Sequence, residues 1–318
     1  MSEPTLALLH GDRKGIGPEI MARLLAEGCQ GAQLVCLGDP QVFAEGQAVA
    51  GCAVDIASLA TLEALPAAAT EPGQATSASG SEMLAALERA VELARSGRID
   101  GIVFAPLNKQ ALHLGGLAHE DEGRLLAQLF GAKRVGEINV LEELWTARVT
   151  SHVALKDVAG LIEEASVLDT IVFIDEALKA AGVARPRLAV AALNPHAGDG
   201  GNFGREEIEV IAPAVERARA RDIDASGPLP ADTVFVRARS GQFDAVVTMF
   251  HDQGQIAMKL MGFERGVTLI DGLPVPVTTP AHGTAYDIVG QGRANPAALI
   301  EAFELCRRMA TAGRESSA

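Results

Sequence analysis

Cysteine is scarce: Cys29, Cys36, Cys52 and Cys306 are the only four, with no CxxC pair and no zinc-knuckle spacing. A disulfide-stapled secreted domain and a compact structural zinc site are therefore excluded, and the thiols read as the reduced cysteines of a cytoplasmic protein. Aromatic residues make up only 4% of the 318, so Ala, Val, Leu and Ile must fill the core. No basic run offsets a formal net charge of −14. Such a field repels DNA, RNA and anionic membrane. An anionic substrate would need local Lys, Arg or a metal to overcome it. No apolar stretch is long enough to span a bilayer. The opening MSEPTLALLHGD lacks the basic and long apolar segments of a signal peptide.

What is present is alternation. Hydrophobic residues reach 48%, enough for a packed core, and 33 Gly with 15 Pro suit an enzyme rich in loop turns. Short apolar runs such as 6–9, 32–37, 101–104, 187–193 and 245–250 each stop at polar or turn residues. Helices are predicted between them, over about 81–96, 156–181, 205–221 and 296–312. Strands alternating with helices imply an α/β fold with a mostly parallel sheet. Residues 137–155 read instead as two consecutive strands, and 66–80 as a solvated loop of low complexity.

Four stretches could carry chemistry. Three histidines, His152, His196 and His251, each follow an apolar run. Imidazoles at strand ends can converge on a divalent cation that leaves room for substrate, or can simply hydrogen-bond in turns. The run NPHAGDGGNFGREE, 194–207, is a glycine loop feeding a helix. It either binds an anion through backbone N–H groups or needs left-handed glycine conformations. GDRKGIGPEI, 11–20, reads as a tight turn with Pro18 opening a helix; it is not a GxGxxG fingerprint. TPAHGTAYDIVGQGRANPAALIEAF, 279–303, is either two helices with ordinary punctuation or a loop around a nucleotide, with Asp287 on a ribose hydroxyl.

Taken in order, GD-x-x-GIGPE, NPHAG-x-GG-x-FG-x-EE, PADT, HDQG and HGTA-x-DI-x-G-x-G resemble the 4-hydroxythreonine-4-phosphate dehydrogenase family over nearly the whole chain. The two ends also resemble isopropylmalate and isocitrate dehydrogenases, from whose GDGIGPE turn this chain differs by the insertion Arg13-Lys14. The resemblance implies their two-domain α/β fold with a cleft. One domain, 1–130 with 276–318, would face the nucleotide; the other, 131–275, would bind metal and dimerise. It implies NAD and one divalent ion (Zn, Mn, Co or Mg) per site. His152, His196 and His251 would be the ligands, drawn from both subunits of a homodimer, with the active site at the subunit interface. Asp232 matches a position near the partner's site, Lys259 a substrate-contacting lysine, and His119 the first of a His-Thr pair. His282, Gly283, Thr284, Ala285, Asp287 and Asn295 match the nucleotide loop. A carboxylate at 287 facing the ribose favours NAD over NADP.

The departures bear on substrate. Glu120 stands for the expected Thr, Thr268 for an Asn, Val277 for an Arg, and Arg13-Lys14 for a proline-alanine pair. Val cannot replace the bidentate donor that Arg gives an anion. The run HEDE and the stretch GLPVPVTTPAHGTA are nearer the family's second branch, which acts on 4-phospho-D-threonate or 4-phospho-D-erythronate. Other relatives oxidise aromatic cis-dihydrodiols. The expected chemistry is metal-assisted oxidation of a secondary alcohol, then decarboxylation, with Lys109, Lys259 and Asp252 as candidates for anion binding or proton transfer. Arg13 and Lys14 lean the same way, toward an anionic substrate. The rivals are dihydrodiol oxidation, a phosphate acyltransferase-like enzyme and a metal-binding protein without turnover.

Overall fold

A computed structural model describes residues 3–65 and 73–317. The chain forms two compact units, 1–137 with 264–318, and 138–263. The divisions suggested by the sequence, at 130/131 and 275/276, differ from these by a few residues at one end and a strand at the other.

The first unit opens with β1 (Thr5–Leu9), α1 (Gly17–Glu27), β2 (Gln33–Gly38), α2 (Pro40–Ala50), α3 (Ile56–Leu59) and β3 (Ala60–Ala64). It continues with α4 (Ser77–Arg95), β4 (Gly101–Phe104), α5 (Lys109–Leu114) and α6 (Glu122–Phe130). Side chains cap four of these helices: Asp39, Thr76, Asn108 and Asp121 accept from the N–H groups of Gln41, Ser79, Ala111 and Arg124 at 2.8–3.1 Å. Thr76 starts α4 at Ser77, earlier than expected. Ser79 and Gly80 are buried, which corrects the reading of 66–80 as one solvated loop; 66–72 lie outside the described residues.

The second unit contains β5 (Gly136–Leu141), β6 (Leu144–Arg148), α7 (Leu155–Leu161), α8 (Glu164–Ala180) and β7 (Arg187–Ala191). After a wound loop come α9 (Ala212–Arg219), β8 (Asp224–Leu229), α10 (Ala231–Arg239), β9 (Ala245–Thr248) and α11 (His251–Gly262). The single helix expected over 156–181 is broken because Ile162 turns into the core and the Glu163 N–H donates to Ser166 Oγ at 3.1 Å, starting a new helix. The helix expected from 205 begins instead as a wide π-helical turn at Glu207–Ile211. The chain then returns to the first unit with β10 (Val267–Asp271), β11 (Val277–Pro280) and α12 (Ala297–Ser317).

In the first unit the strand order is β3-β2-β1-β4-β11-β10, parallel except for β10 against β11. In the second it is β5-β6-β9-β7-β8, parallel except for the β5–β6 hairpin. Buried runs such as LALL in β1 and GIVF in β4 are apolar throughout because helices cover both faces of a parallel sheet. Ala, Val, Leu and Ile do fill both cores, with Phe104 in one and Phe235 in the other.

Candidate functional site

In the second unit β6, β9 and β7 are adjacent and parallel, and a sequence-flagged histidine lies beyond the carboxyl end of each. His251 is the first residue of α11. The tetrapeptide HDQG thus forms the first turn of a helix directly after β9. Gln253 fixes that junction: its Oε1 accepts from Met249 N at 2.8 Å and its Nε2 donates to Ala192 O at 2.9 Å, tying the ends of β9 and β7. Gly254 passes so near Thr248 that a Cβ there would meet Oγ1 at 3.3 Å.

The His152 and His251 rings lie 6.1 Å apart, tilted by 44°. They line one open pocket of about 200 Å³ with Ser151, Val153, Phe250 and Asp252. His251 Nδ1 sits 2.7 Å from Asp252 Oδ1. An ionised carboxylate only accepts, so Nδ1 carries the proton and Nε2 presents its lone pair. A carboxylate orienting an imidazole in this way is what a metal-binding histidine requires. His196 is held elsewhere. It opens a run of positive φ angles, 54° at His196, 55° at Ala197 and 45° at Asp199, and its ring is 6.3 Å from that of Phe203. Among the described residues no three His, Cys, Asp or Glu side chains are gathered closely enough to hold a metal. Two imidazoles of the expected three come together within the chain, and they fit a divalent ion as an incomplete set.

The loop 194–207 is wound by its glycines, with φ of 77°, 66°, 100° and 126° at Gly198, Gly200, Gly201 and Gly204. Buried Glu207 accepts from Leu193 N at 2.9 Å and Asn194 N at 2.7 Å, and Glu206 from Asn194 Nδ2 at 2.7 Å. Glu207 thus occupies the backbone N–H groups of Leu193 and Asn194 at the start of the loop, and Glu206 the Asn194 side-chain amide. The left-handed glycine conformations expected of this stretch are present. Asp232 lies exposed in the first turn of α10, and Lys259 exposed near the end of α11, its Nζ 6.0 Å from the Phe263 ring.

In the first unit Lys109 is the exposed first residue of α5, just beyond β4. His119 is half-buried and Glu120 exposed, in the turn before α6. Glu122, the last residue of the HEDE run, carries no signal of its own in the sequence. Burial raises its carboxyl pKa, against the charge of Lys109, and its Oε2 is shut away with no hydrogen-bond partner. Thr268 is half-buried in β10 opposite Thr279, and Val277 is fully buried in β11.

Residues 282–295 form a loop between β11 and α12. Thr284 is buried and its carbonyl accepts from Ile16 N at 3.0 Å; Ala285 has φ 46°. His282 Nδ1 donates to Gly283 O at 3.0 Å. Asp287 is exposed, and Asn295 Oδ1 accepts from Ala297 N at 3.0 Å at the start of α12. Gly283 has an ordinary φ, and a Cβ there would meet nothing within 4 Å. Among the described residues nothing requires glycine at 283.

Arg13 and Lys14 require a correction. Arg13 lies 3.6–3.7 Å from Glu45 and Glu82, and Lys14 is buried beside Asp12. Both cations face carboxylates of their own unit, so they lend no support to an anionic substrate. His10, 3.5 Å from Glu82, is pushed down to about 4 by burial.

Residues 30–306 match the family of the "Pyridoxal phosphate biosynthetic protein PdxA". A Pseudomonas aeruginosa protein, provisionally named 4-hydroxythreonine-4-phosphate dehydrogenase 2, is 49% identical over 97% of each chain. The D-threonate 4-phosphate dehydrogenase of Cupriavidus necator is 38% identical over 97% of this chain and 98% of its own. Among solved structures, 4-hydroxythreonine-4-phosphate dehydrogenase from Klebsiella pneumoniae superposes with a TM-score of 0.84 at 34% identity, covering 97% of this chain and 98% of that one. Isocitrate dehydrogenase from Methylococcus capsulatus shares the fold, with a TM-score of 0.51 at 17% identity over 99% and 88% of the two chains.

Proposed function

This chain belongs to the PdxA family, and we propose that it is an NAD-dependent dehydrogenase that oxidises the secondary alcohol of a phosphorylated hydroxy acid, followed by loss of CO₂ from the β-keto acid. D-Threonate 4-phosphate, its erythronate epimer and 4-phosphohydroxy-L-threonine are the substrates of choice. The observation that carries this reading is the His152–His251 pocket with Asp252 orienting one ring. A divalent ion there, zinc, manganese, cobalt or magnesium, would supply Lewis-acid polarisation of the substrate's oxygens.

The chain's own residues do the rest. Asp252 keeps His251 in the tautomer whose Nε2 can ligate. Lys109 and Lys259 place ammonium groups where a phosphate or carboxylate can be paired, and either can move a proton, as can Asp252. His119, Glu120, Asp232 and Thr268 flank the substrate. His282, Gly283, Thr284, Ala285 and Asn295 hold the dinucleotide, with Asp287 accepting from a ribose hydroxyl. The unit 1–137 with 264–318 takes the nucleotide, and 138–263 takes metal and dimer contacts.

A homodimer completes the ligand set, with His196 meeting the other two imidazoles across the subunit interface. Supporting this, α11 carries Ile256 and Leu260, 59% and 83% exposed, on the same helix as His251, and Phe263, 50% exposed, continues the stripe at the residue that caps it. Residence in the cytoplasm fits the reduced, mutually unbonded cysteines.

The test is NADH formation at 340 nm with the three phosphorylated acids, unphosphorylated D-threonate and a terephthalate dihydrodiol offered side by side. Turnover of one phosphorylated acid, with dihydroxyacetone phosphate from D-threonate 4-phosphate, is expected. Turnover of the dihydrodiol alone would overturn the substrate class.

A further inference from the structure

The cofactor loop does not hold itself. Ala285 sits in the left-handed region without being glycine, a conformation costing about 1 kcal/mol or more unless the surroundings impose it. What surrounds it is the turn 11–17. Ile16 N donates to Thr284 O at 3.0 Å, and Gly15 comes so close that a Cβ would stand 2.7 Å from that same carbonyl oxygen. The Tyr286 hydroxyl donates to Asp12 Oδ2. Asp12 is itself immobile: fully buried, its N–H given to Pro106 O at 3.0 Å and its Oδ1 accepting from Lys14 N at 3.0 Å. Further along, buried Glu19 on α1 accepts from Ala294 N at 2.9 Å, and Arg23 donates to Gly292 O at 2.8 Å. The two ends of the chain are thus one interlocked piece, and Tyr286, the only tyrosine, bonds from the middle of the loop into the turn 11–17.

We propose that the Tyr286–Asp12 hydrogen bond is a latch that holds loop 282–288 in its dinucleotide-binding form, making Tyr286 a positioning residue for the cofactor. The inference rests on reading 282–287 as the cofactor loop. A hydroxyl bonded to a buried carboxylate is among the stronger hydrogen bonds. Removing it leaves a buried acceptor and a loop that must be ordered when the dinucleotide arrives, which weakens binding without touching the ligand.

The experiment titrates NADH fluorescence against the intact protein and Tyr286→Phe, Gly283→Ala and Tyr286→Phe/Asp12→Asn variants, with amide exchange of 282–288 followed in the unliganded proteins. Tyr286→Phe is expected to weaken NADH roughly tenfold and to quicken exchange within 282–288 while α12 and β11 keep their protection. In turnover the change falls on the KM for NAD⁺, not on that for the hydroxy acid. The double variant is expected to bind at least as weakly as Tyr286→Phe, since Asp12→Asn removes the acceptor of the same bond and also the charge beside buried Lys14. Gly283→Ala tests the loop reading separately: its Cβ meets no protein atom, so it should weaken NADH while leaving the melting temperature in place. If Gly283→Ala weakens NADH and Tyr286→Phe changes neither binding nor exchange, the latch is wrong and the cofactor loop stands. If neither variant affects NADH, the loop reading falls and the latch with it.

Discussion

Two single residues give the sharpest expectations. Among the described residues the Asp252 carboxylate bonds to His251, at 2.7 Å, and is otherwise exposed. Asp252→Ala should fold normally yet lower affinity for a divalent ion by roughly 10–100-fold, read by competition with a chromophoric chelator. An unchanged affinity would mean that the carboxylate does not orient the ring for a metal. His10 bears on stability. It is buried neutral among Glu82, Arg13 and Asp39, and its folded pKa is depressed from 6.5 to about 4. A depressed folded pKa means stabilisation that is present above pH 6.5 and lost as pH falls toward 4. The size of the shift corresponds to roughly 3 kcal/mol. Urea unfolding at stepped pH should show this acid-side loss in the parent and much less of it in His10→Gln; equal slopes in both would contradict it. Glu122 acts in the opposite sense, its raised carboxyl pKa favouring the fold below 4.5 and costing stability as pH rises.

At the scale of elements, α4 and α5 meet through glycines. A Cβ on Gly80 would lie 1.8 Å from Ala111 O, and one on Gly115 2.4 Å from the Gly80 carbonyl carbon. Gly80→Ala must therefore push α5 away, destabilising by about 1–3 kcal/mol or more and displacing Lys109 at its start. Chemical denaturation measures the first effect and the KM for the hydroxy acid the second; a variant as stable as the parent would contradict the close packing. This contact was hidden in the sequence, where Ser77–Gly80 looked like loop because Ser and Gly are weak helix formers that favour caps and turns, and Thr76 supplies the cap from further back. β1, β2, β4, β7 and β9 were legible because each lies in an apolar-rich run, whereas β3, β8, β10 and β11, interrupted by Thr, Glu, Asp or Gly, were not. The break at 162–163 was not, since Ile162 continues the helical periodicity and only its burial turns the chain. Of the site, the three strand-end histidines could be found from pattern, and the loop 282–295 from its motif. Arg13 and Lys14 were misread because sequence shows charge without showing which way a side chain faces. Glu122 and Tyr286 left no periodic trace, though a solitary tyrosine inside a glycine-punctuated loop was a usable hint.

At the scale of the whole molecule, the proposed dimer makes a specific demand. The stripe Ile256–Leu260–Phe263 should lie in the interface, so Leu260→Glu, which buries a charge there, should weaken the dimer by roughly 30-fold or more. Sedimentation velocity reads the association, and turnover should fall in step with it because neither protomer then has a full ligand set. A Leu260→Glu protein that remained dimeric and active would place the interface elsewhere. Among the described residues no helix is long and apolar enough to cross a membrane, so the stripe is not part of a membrane-spanning helix.

The most direct test of the three-histidine metal site is the divalent-metal content of the purified protein and of His152→Ala, His196→Ala and His251→Ala, by mass spectrometry after equilibration with metal and removal of excess. About one ion per protomer in the parent is expected for one site per protomer, with a large loss in each variant, His196→Ala included although its ring stands apart from the other two within one chain. Full occupancy in His152→Ala or His251→Ala would contradict the site itself. Full occupancy in His196→Ala alone would contradict its assembly across two subunits.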